Sequence, residues 1–213
     1  MPFGVDEAGK GPVLGSMFAA AVVADPDALP GAIADSKTLP AERRDTFATQ
    51  LRGDSGVSIG LAEIPVSEID DPETDMNELT VAAQANALEA VEIAGETGYV
   101  DAGDVDADRF GRRVNARVEA DLTIHAEHGA DERYPLVSAA SIIAKVTRDA
   151  HVERLDAEYD APIGSGYPSD ERTRHFLRNY VEKTSELPAC ARRSWQTSRD
   201  ILAEAAQSGL EEF

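Results

Sequence analysis

The first fifteen residues constrain this chain most, because two acids stand together inside an otherwise apolar opening, Phe3-Gly4-Val5-Asp6-Glu7-Ala8. The residues around Asp6 and Glu7 have the composition of a short core strand. Gly9-Lys10-Gly11 follows at once, and the two glycines let the backbone approach a ligand closely. A carboxylate pair beside a glycine-flanked cation suits a divalent metal ion next to a phosphate, since hard cations take oxygen ligands. The plainer reading is a strand that ends in a charged turn, and residues elsewhere must decide between the two. Successive strand residues face opposite sides. Asp6 and Glu7 can therefore share a site only where the strand ends or bends, which Ala8-Gly9 allows.

Gly4-x-x-x-x-Gly9-Lys10 approaches a phosphate-cradling P-loop and fails as one. Gly11 stands where that motif needs a hydroxyl for magnesium, too little chain precedes Gly4 for a feeding strand, and Asp6 and Glu7 would repel the phosphate.

Further along, Gly15 to Val23 is a small apolar run that reads as a buried second strand. Pro40 opens a short helix to about Leu51, and Ser36 and Lys37 lie in the loop before it, where they could hold a phosphate or sit solvated. Val57 to Val66 alternates as a third strand. Met76 to Ala94 is an Ala-rich helix with Leu79, Ala83, Ala87, Ala90 and Ala94 on one stripe, ended by Gly95 and Gly98. Tyr99 to Gly103 gives a fourth strand with Asp101 at its carboxyl end. Asp106 starts a helix to about Val118, and Leu122 to Ala126 forms a fifth strand. His125 and His128 read as ordinary strand and surface residues. Asp131 precedes a helix rich in small residues, Leu136 to Asp149, whose amino end favours anions. Gly164 to Asp170 is a turn presenting Tyr167, with Ser169 or Asp170 placed to cap the next helix. The expected fold is α/β, a mixed sheet flanked by helices, with residues 1–160 as the catalytic domain and 161–213 as a helical extension.

Charge matters most near the end. The chain carries 40 acids against 20 bases, a net charge of −20, and only four of the bases are lysines. Scattered acids with scarce lysine resemble proteins of salt-loving organisms; an acidic partner-binding face is the alternative. Against that background Arg172, Arg174, Arg178, Lys183, Arg192, Arg193 and Arg199, with Tyr180 and Trp195 among them, form a basic stretch. It suits a nucleic-acid backbone, or internal pairing with the acidic body. A single cysteine excludes an internal disulfide, and no apolar run approaches the roughly 20 residues of a membrane span. A cytoplasmic protein is expected.

The segments Gly4-Val-Asp-Glu-Ala-Gly-Lys-Gly-Pro, Asp35-Ser-Lys, Val100-Asp-Ala, Tyr134-Pro-Leu-Val-Ser-Ala-Ala-Ser-Ile-Ile-Ala-Lys-Val-Thr-Arg-Asp and Gly164-Ser-Gly-Tyr-Pro-Ser-Asp resemble, in order, the ribonuclease HII family in its archaeal form. The resemblance implies an RNase H-like fold and an endonuclease that cuts RNA in RNA–DNA hybrids and single ribonucleotides in duplex DNA, in replication and repair. It implies Asp6, Glu7, Asp101 and Asp131 as catalytic, metal-binding acids for a two-ion site of Mg2+ or Mn2+. Gly9, Lys10 and Gly11 match the family's Gly-Arg-Gly segment, which senses the ribose 2′-hydroxyl, and Tyr167 matches a tyrosine that packs on the next sugar. Lys10 departs from the usual arginine and loses its fork of donors. Ser36, Lys37, Lys145 and the C-terminal arginines are then expected to hold phosphates. A monomer is expected, with a sliding-clamp contact through Leu210 and Phe213 as a weak further expectation. The rival readings are another metal-dependent nuclease of the same architecture and a hybrid-binding protein without catalysis.

Overall fold

The computed structural model describes residues 1–29 and 40–211, with side chains through residue 207. Five strands, β1 Phe3–Ala8, β2 Met17–Val23, β3 Ser58–Ile64, β4 Thr97–Asp101 and β5 Thr123–Glu127, form one sheet in the order β3-β2-β1-β4-β5. β2 runs antiparallel to β1, while β4 is parallel to β1 and β5 to β4. The helices are α1 Ala41–Gly53, α2 Val66–Ile69, α3 Met76–Glu89, α4 Ala107–Asn115, α5 Pro135–Tyr159, α6 Glu171–Thr184 and α7 Gln196–Glu211. The chain divides into two compact units: Met1–Ala8, Met17–Glu63 and Asp75–Arg148 make the first, and Gly9–Ser16, Ile64–Thr74 and the chain from Asp149 onward make the second.

In the first unit the sheet is covered on both faces. Every residue of β2 is buried, which explains why the strand reads as an unbroken run of small and apolar side chains. One face carries Ala20 and Val22, which pack with Phe47 and Leu51 of α1 and with Leu136, Ala139, Ala140 and Ile143 of α5. Gly4 pairs with Val22 on this face, and a Cβ there would lie 2.2 Å from the Val137 nitrogen. Glycine is thus what lets the start of α5 cross directly over β1, two residues before Asp6. On the other face a Cβ at Gly60 would lie 2.1 Å from the Ala87 oxygen, so α3 comes equally close to β3. Asp75 caps α3 by accepting from the N–H groups of Asn77 and Glu78, and Asp106 caps α4 by accepting from the Arg109 N–H.

Four sequence expectations shift. α3 stops at Glu89 rather than Ala94. Gly98 is no helix stop; it lies inside β4, where a Cβ would fall 2.4 Å from the Phe3 ring. Leu61 does not bury with the alternating set of β3 but is 42% exposed. α5 extends ten residues past Asp149, to Tyr159.

The second unit has its own core of Val13, Leu14, Val152, Leu155, Ile163, Phe176, Leu177, Val181 and Ile201. Tyr159, Phe176 and Tyr180 meet there edge-on or tilted, with ring centroids 5.4–6.1 Å apart. Asp170 caps α6 by accepting from the Arg172 N–H.

Candidate active site

Asp6 and Asp101 come from parallel neighbours. β1 and β4 pair through Val5 and Val100, and each acid is the next residue along its strand. Asp6 shares the face of Gly4, so it points toward α5, where the Ser141 hydroxyl hydrogen-bonds its carboxylate. Its Oδ1 also accepts from the Glu7 backbone N–H at 2.7 Å. Glu7 takes the opposite face, toward α3, and its Oε2 accepts from Gln84 Nε2 at 2.6 Å. That amide nitrogen also donates to the Asp101 carbonyl at 2.8 Å, so one side chain ties Glu7 to the end of β4. Asp101 Oδ1 in turn accepts from the Ala130 N–H at 2.7 Å. Ala130 opens the 3-10 turn Ala130–Glu132, and so Asp101 holds the segment that carries Asp131.

Burial decides the electrostatics. Asp6 is 4% and Asp131 3% exposed. Loss of water, then the negative charges of Glu7 and Asp101, push the Asp6 carboxyl well above the ordinary carboxylate range; the Ser141 hydrogen bond offsets only part of this. Lys145 Nζ donates to Ser141 Oγ at 2.8 Å, one helical turn along α5. Its ammonium therefore reaches the acid group through a hydroxyl. Asp104 is engaged elsewhere. Arg109 donates to it at 2.6 Å and Arg113 lies 3.8 Å away, which lowers its carboxyl below the usual range.

The candidate donors, four carboxylates with neither thiol nor imidazole among them, have the chemistry that suits a hard divalent cation. The crowding of Glu7 and Asp101 on a buried Asp6 fits it as well, because a cation relieves that repulsion. Among the described residues no three His, Cys, Asp or Glu side chains already converge as ligands. Glu7 holds to Gln84 and Asp101 to Ala130, each through one carboxylate oxygen, so both keep acceptor capacity for an ion.

The Gly9–Ser16 loop belongs to the second unit. Gly9 adopts φ +94°, in the region that favours glycine. The N–H groups of Val13 and Leu14 donate to the Gly166 carbonyl at 2.8 and 3.2 Å, which fixes the loop to the turn bearing Tyr167. A Cβ at Gly11 would lie 3.6 Å from the Tyr167 ring, and that residue is 40% exposed. Lys10 is half-buried. Ser36 and Lys37 lie outside the described residues, as does Phe213, and of the Leu210 side chain nothing is described.

The basic stretch needs correction. Arg192 is fully buried and is no phosphate ligand: it donates to the carbonyls of Gly9, Lys10 and Gly15, and Trp195 lies against it. Tyr180 packs against the core, Arg199 donates to the Ser194 carbonyl and Gln196, and Arg178 faces Glu204 at 3.6 Å. Of the seven bases Arg192 alone is buried; Arg172, Lys183, Arg193 and Arg199 are exposed, and Arg174 and Arg178 are half-buried. Gln84 is the site residue that sequence reasoning misses. The signal available for it is a lone polar residue between Ala83 and Ala85 in a helix whose neighbours bury.

A family model described as ribonuclease HII matches residues 3–198. The ribonuclease HII of Halobacterium salinarum is 64% identical over 211 residues, covering 99% of this chain and 99% of that protein. Two solved structures are close in shape. The ribonuclease H2 of Pyrococcus horikoshii superposes with a TM-score of 0.88 at 37% identity, over 96% of this chain and 98% of that one. The RNase HII of Archaeoglobus fulgidus, solved as a complex with PCNA, gives 0.80 at 35% identity, over 94% and 96%. The likeness to a protein of a salt-loving archaeon agrees with the acid-rich, lysine-poor composition.

Proposed function

Because this chain belongs to the ribonuclease HII family and is a ribonuclease H, a phosphodiester hydrolase, we propose that it cuts RNA within RNA–DNA hybrids and on the 5′ side of single ribonucleotides in duplex DNA, leaving a 3′-hydroxyl and a 5′-phosphate. The observation that carries this reading is the gathering of Glu7 and Asp101 around a buried Asp6. A core that assembles like charges on two neighbouring parallel strands is poised for a cationic ligand, and perturbed carboxylates of this kind mark functional sites.

Asp6, Glu7, Asp101 and Asp131 are the groups that would hold Mg2+ or Mn2+ in a two-ion site. When bound, such ions supply an activated water and neutralise charge on the phosphate. The chain's own residues do the rest. Gln84 orients Glu7, Ser141 orients Asp6, and Asp101 fixes the turn of Asp131. Lys145 is assigned to a substrate phosphate, with its hydrogen bond to Ser141 holding it in readiness. Gly9, Lys10 and Gly11 are assigned to the ribose 2′-hydroxyl, the group that tells RNA from DNA at one position, and Tyr167 to the following sugar. Ser36 and Lys37 are assigned to phosphates. Among the described residues no helix is long and apolar enough to cross a membrane. Action in the cytoplasm as a monomer is part of the same proposal. The complex of the Archaeoglobus fulgidus relative with PCNA supports a sliding-clamp contact here too.

The test is an end-labelled DNA duplex carrying one ribonucleotide, beside its all-DNA twin, in Mg2+, Mn2+ or EDTA across a KCl series. A single metal-dependent cut 5′ to the ribonucleotide, absent from the twin, is the expected result. Equal cutting of both duplexes would make the chain a general nuclease, and no cutting by folded protein at any salt would sink the catalytic reading.

A further inference from the structure

Main-chain carbonyls that leave water need donors, and the Gly9–Ser16 loop has little backbone pairing to supply them: a bridge from Leu14 to Ala191 and the Arg192 N–H on the Val13 carbonyl. One side chain serves three more. Arg192, 0% exposed, donates from Nη2 to the Gly9 carbonyl at 2.6 Å, from Nη1 to Lys10 at 3.0 Å and from Nε to Gly15 at 2.9 Å. Trp195 supports it twice: its ring centroid lies 4.9 Å from the guanidinium carbon, and its Nε1 donates to the Gly11 carbonyl at 3.3 Å. A planar fork holds its donors at fixed, separated positions that match these three acceptors, whereas a lysine gathers its three donors on one nitrogen. All the groups involved lie within the second unit.

Peptide geometry gives the arrangement its consequence. In a trans peptide the N–H opposes the C=O of the same plane. With the Gly9 and Lys10 carbonyls drawn to Arg192, the N–H groups of Lys10 and Gly11 are turned away from it. The next unit contributes no donor, because Pro12 has no N–H. The guanidinium therefore fixes the direction of a pair of adjacent backbone donors without approaching any ligand itself.

We propose that Arg192, backed by Trp195, is the positioning residue of the loop that reads the ribonucleotide: it aims the Lys10 and Gly11 donors and so sets the preference for ribose over deoxyribose, leaving the hydrolytic step to the carboxylates. This rests on the assignment of Gly9, Lys10 and Gly11 to the 2′-hydroxyl.

The experiment compares wild type with Arg192→Ala, Arg192→Lys and Trp195→Phe, each checked for folding by thermal melting in KCl. Binding to the single-ribonucleotide duplex and to its all-DNA twin is read by fluorescence anisotropy with Ca2+, and steady-state cleavage is measured with Mg2+. For Arg192→Ala the binding preference for the ribonucleotide falls by at least about tenfold and KM rises while kcat moves less, as expected when oriented hydrogen-bond donors are lost. Added guanidinium, but not ammonium at equal concentration, restores part of that preference. Should Arg192→Ala not fold, Arg192→Lys and Trp195→Phe carry the test, with smaller losses in the same direction. Folded variants that keep the wild-type preference and KM overturn the proposal while leaving the function intact. A wild type that binds both duplexes equally overturns the 2′-hydroxyl assignment, and the proposal falls with it.

Discussion

Two stretches that adjoin at Ala8 and Gly9 solve opposite electrostatic problems. The acids of the first unit bring Glu7 and Asp101 against a buried Asp6, so that its carboxyl resists ionisation. The loop of the second unit places a buried guanidinium among three carbonyl oxygens and thereby satisfies both. The first arrangement is costly to the fold, and the second contributes to stability as it stands. Removing charge from the two regions should accordingly move stability in opposite directions. On the proposed function the two regions divide the work, with reactivity assigned to the crowded acids and selectivity to the satisfied loop.

The largest expected effect breaks the acid side. Asp101→Asn removes a carboxylate and is expected to lower single-turnover cleavage by about 10³-fold or more, while anisotropy shows hybrid binding retained. Loss of binding in parallel would instead assign Asp101 to the substrate surface. Next, Arg192→Met strands three buried carbonyls and should lower stability by about 3 kcal/mol. In a chain of this length that is a fall in Tm of roughly 6–12 °C by calorimetry. Asp6→Asn should act in the other sense. A folded pKa raised above the unfolded value means that the contribution of Asp6 is fully present below the unfolded pKa and is lost as pH rises through the folded one. The asparagine variant escapes that loss, and at pH 8 in EDTA its Tm should exceed that of wild type by a few degrees. The smallest effect concerns Asp104, whose carboxyl is lowered by the hydrogen bond from Arg109. Its contribution is present above the ordinary carboxylate range and is lost as pH falls through the lowered value. Asp104→Asn should therefore flatten the acid limb of a stability–pH curve, with little change in cleavage.

How much can be read from the chain depends on the range of the interaction. β2 is legible as a short apolar run and β1 from the apolar residues that flank its acid pair, and Asp101 is found at the end of β4 because a strand end is a local property. The caps at Asp106 and Asp170 are equally local. Gly98 misleads because a glycine that stops a helix and one that makes room for Phe3 look alike in sequence. Arg192 misleads for the same kind of reason: its acceptors lie at least 177 residues away, so a basic neighbourhood is the only local information. Gln84 reaches Glu7 across 77 residues, and no pattern within α3 points to that partner. The opposed faces of Asp6 and Glu7 follow from strand geometry alone. What joins them is not a bend at Asp6 itself, since β1 runs on to Ala8, but electrostatic proximity and the Gln84 link to Asp101.

The most direct test of the strained cluster is the Tm of wild type and Asp6→Asn, side by side in constant KCl, first in EDTA and then with Mg2+ or Mn2+. In EDTA the variant should melt higher. With metal the wild type should gain stability through binding to the native state, while the variant gains little. A wild type that melts higher than the variant in EDTA, together with equal metal responses in both, would contradict a cluster held in reserve for a cation.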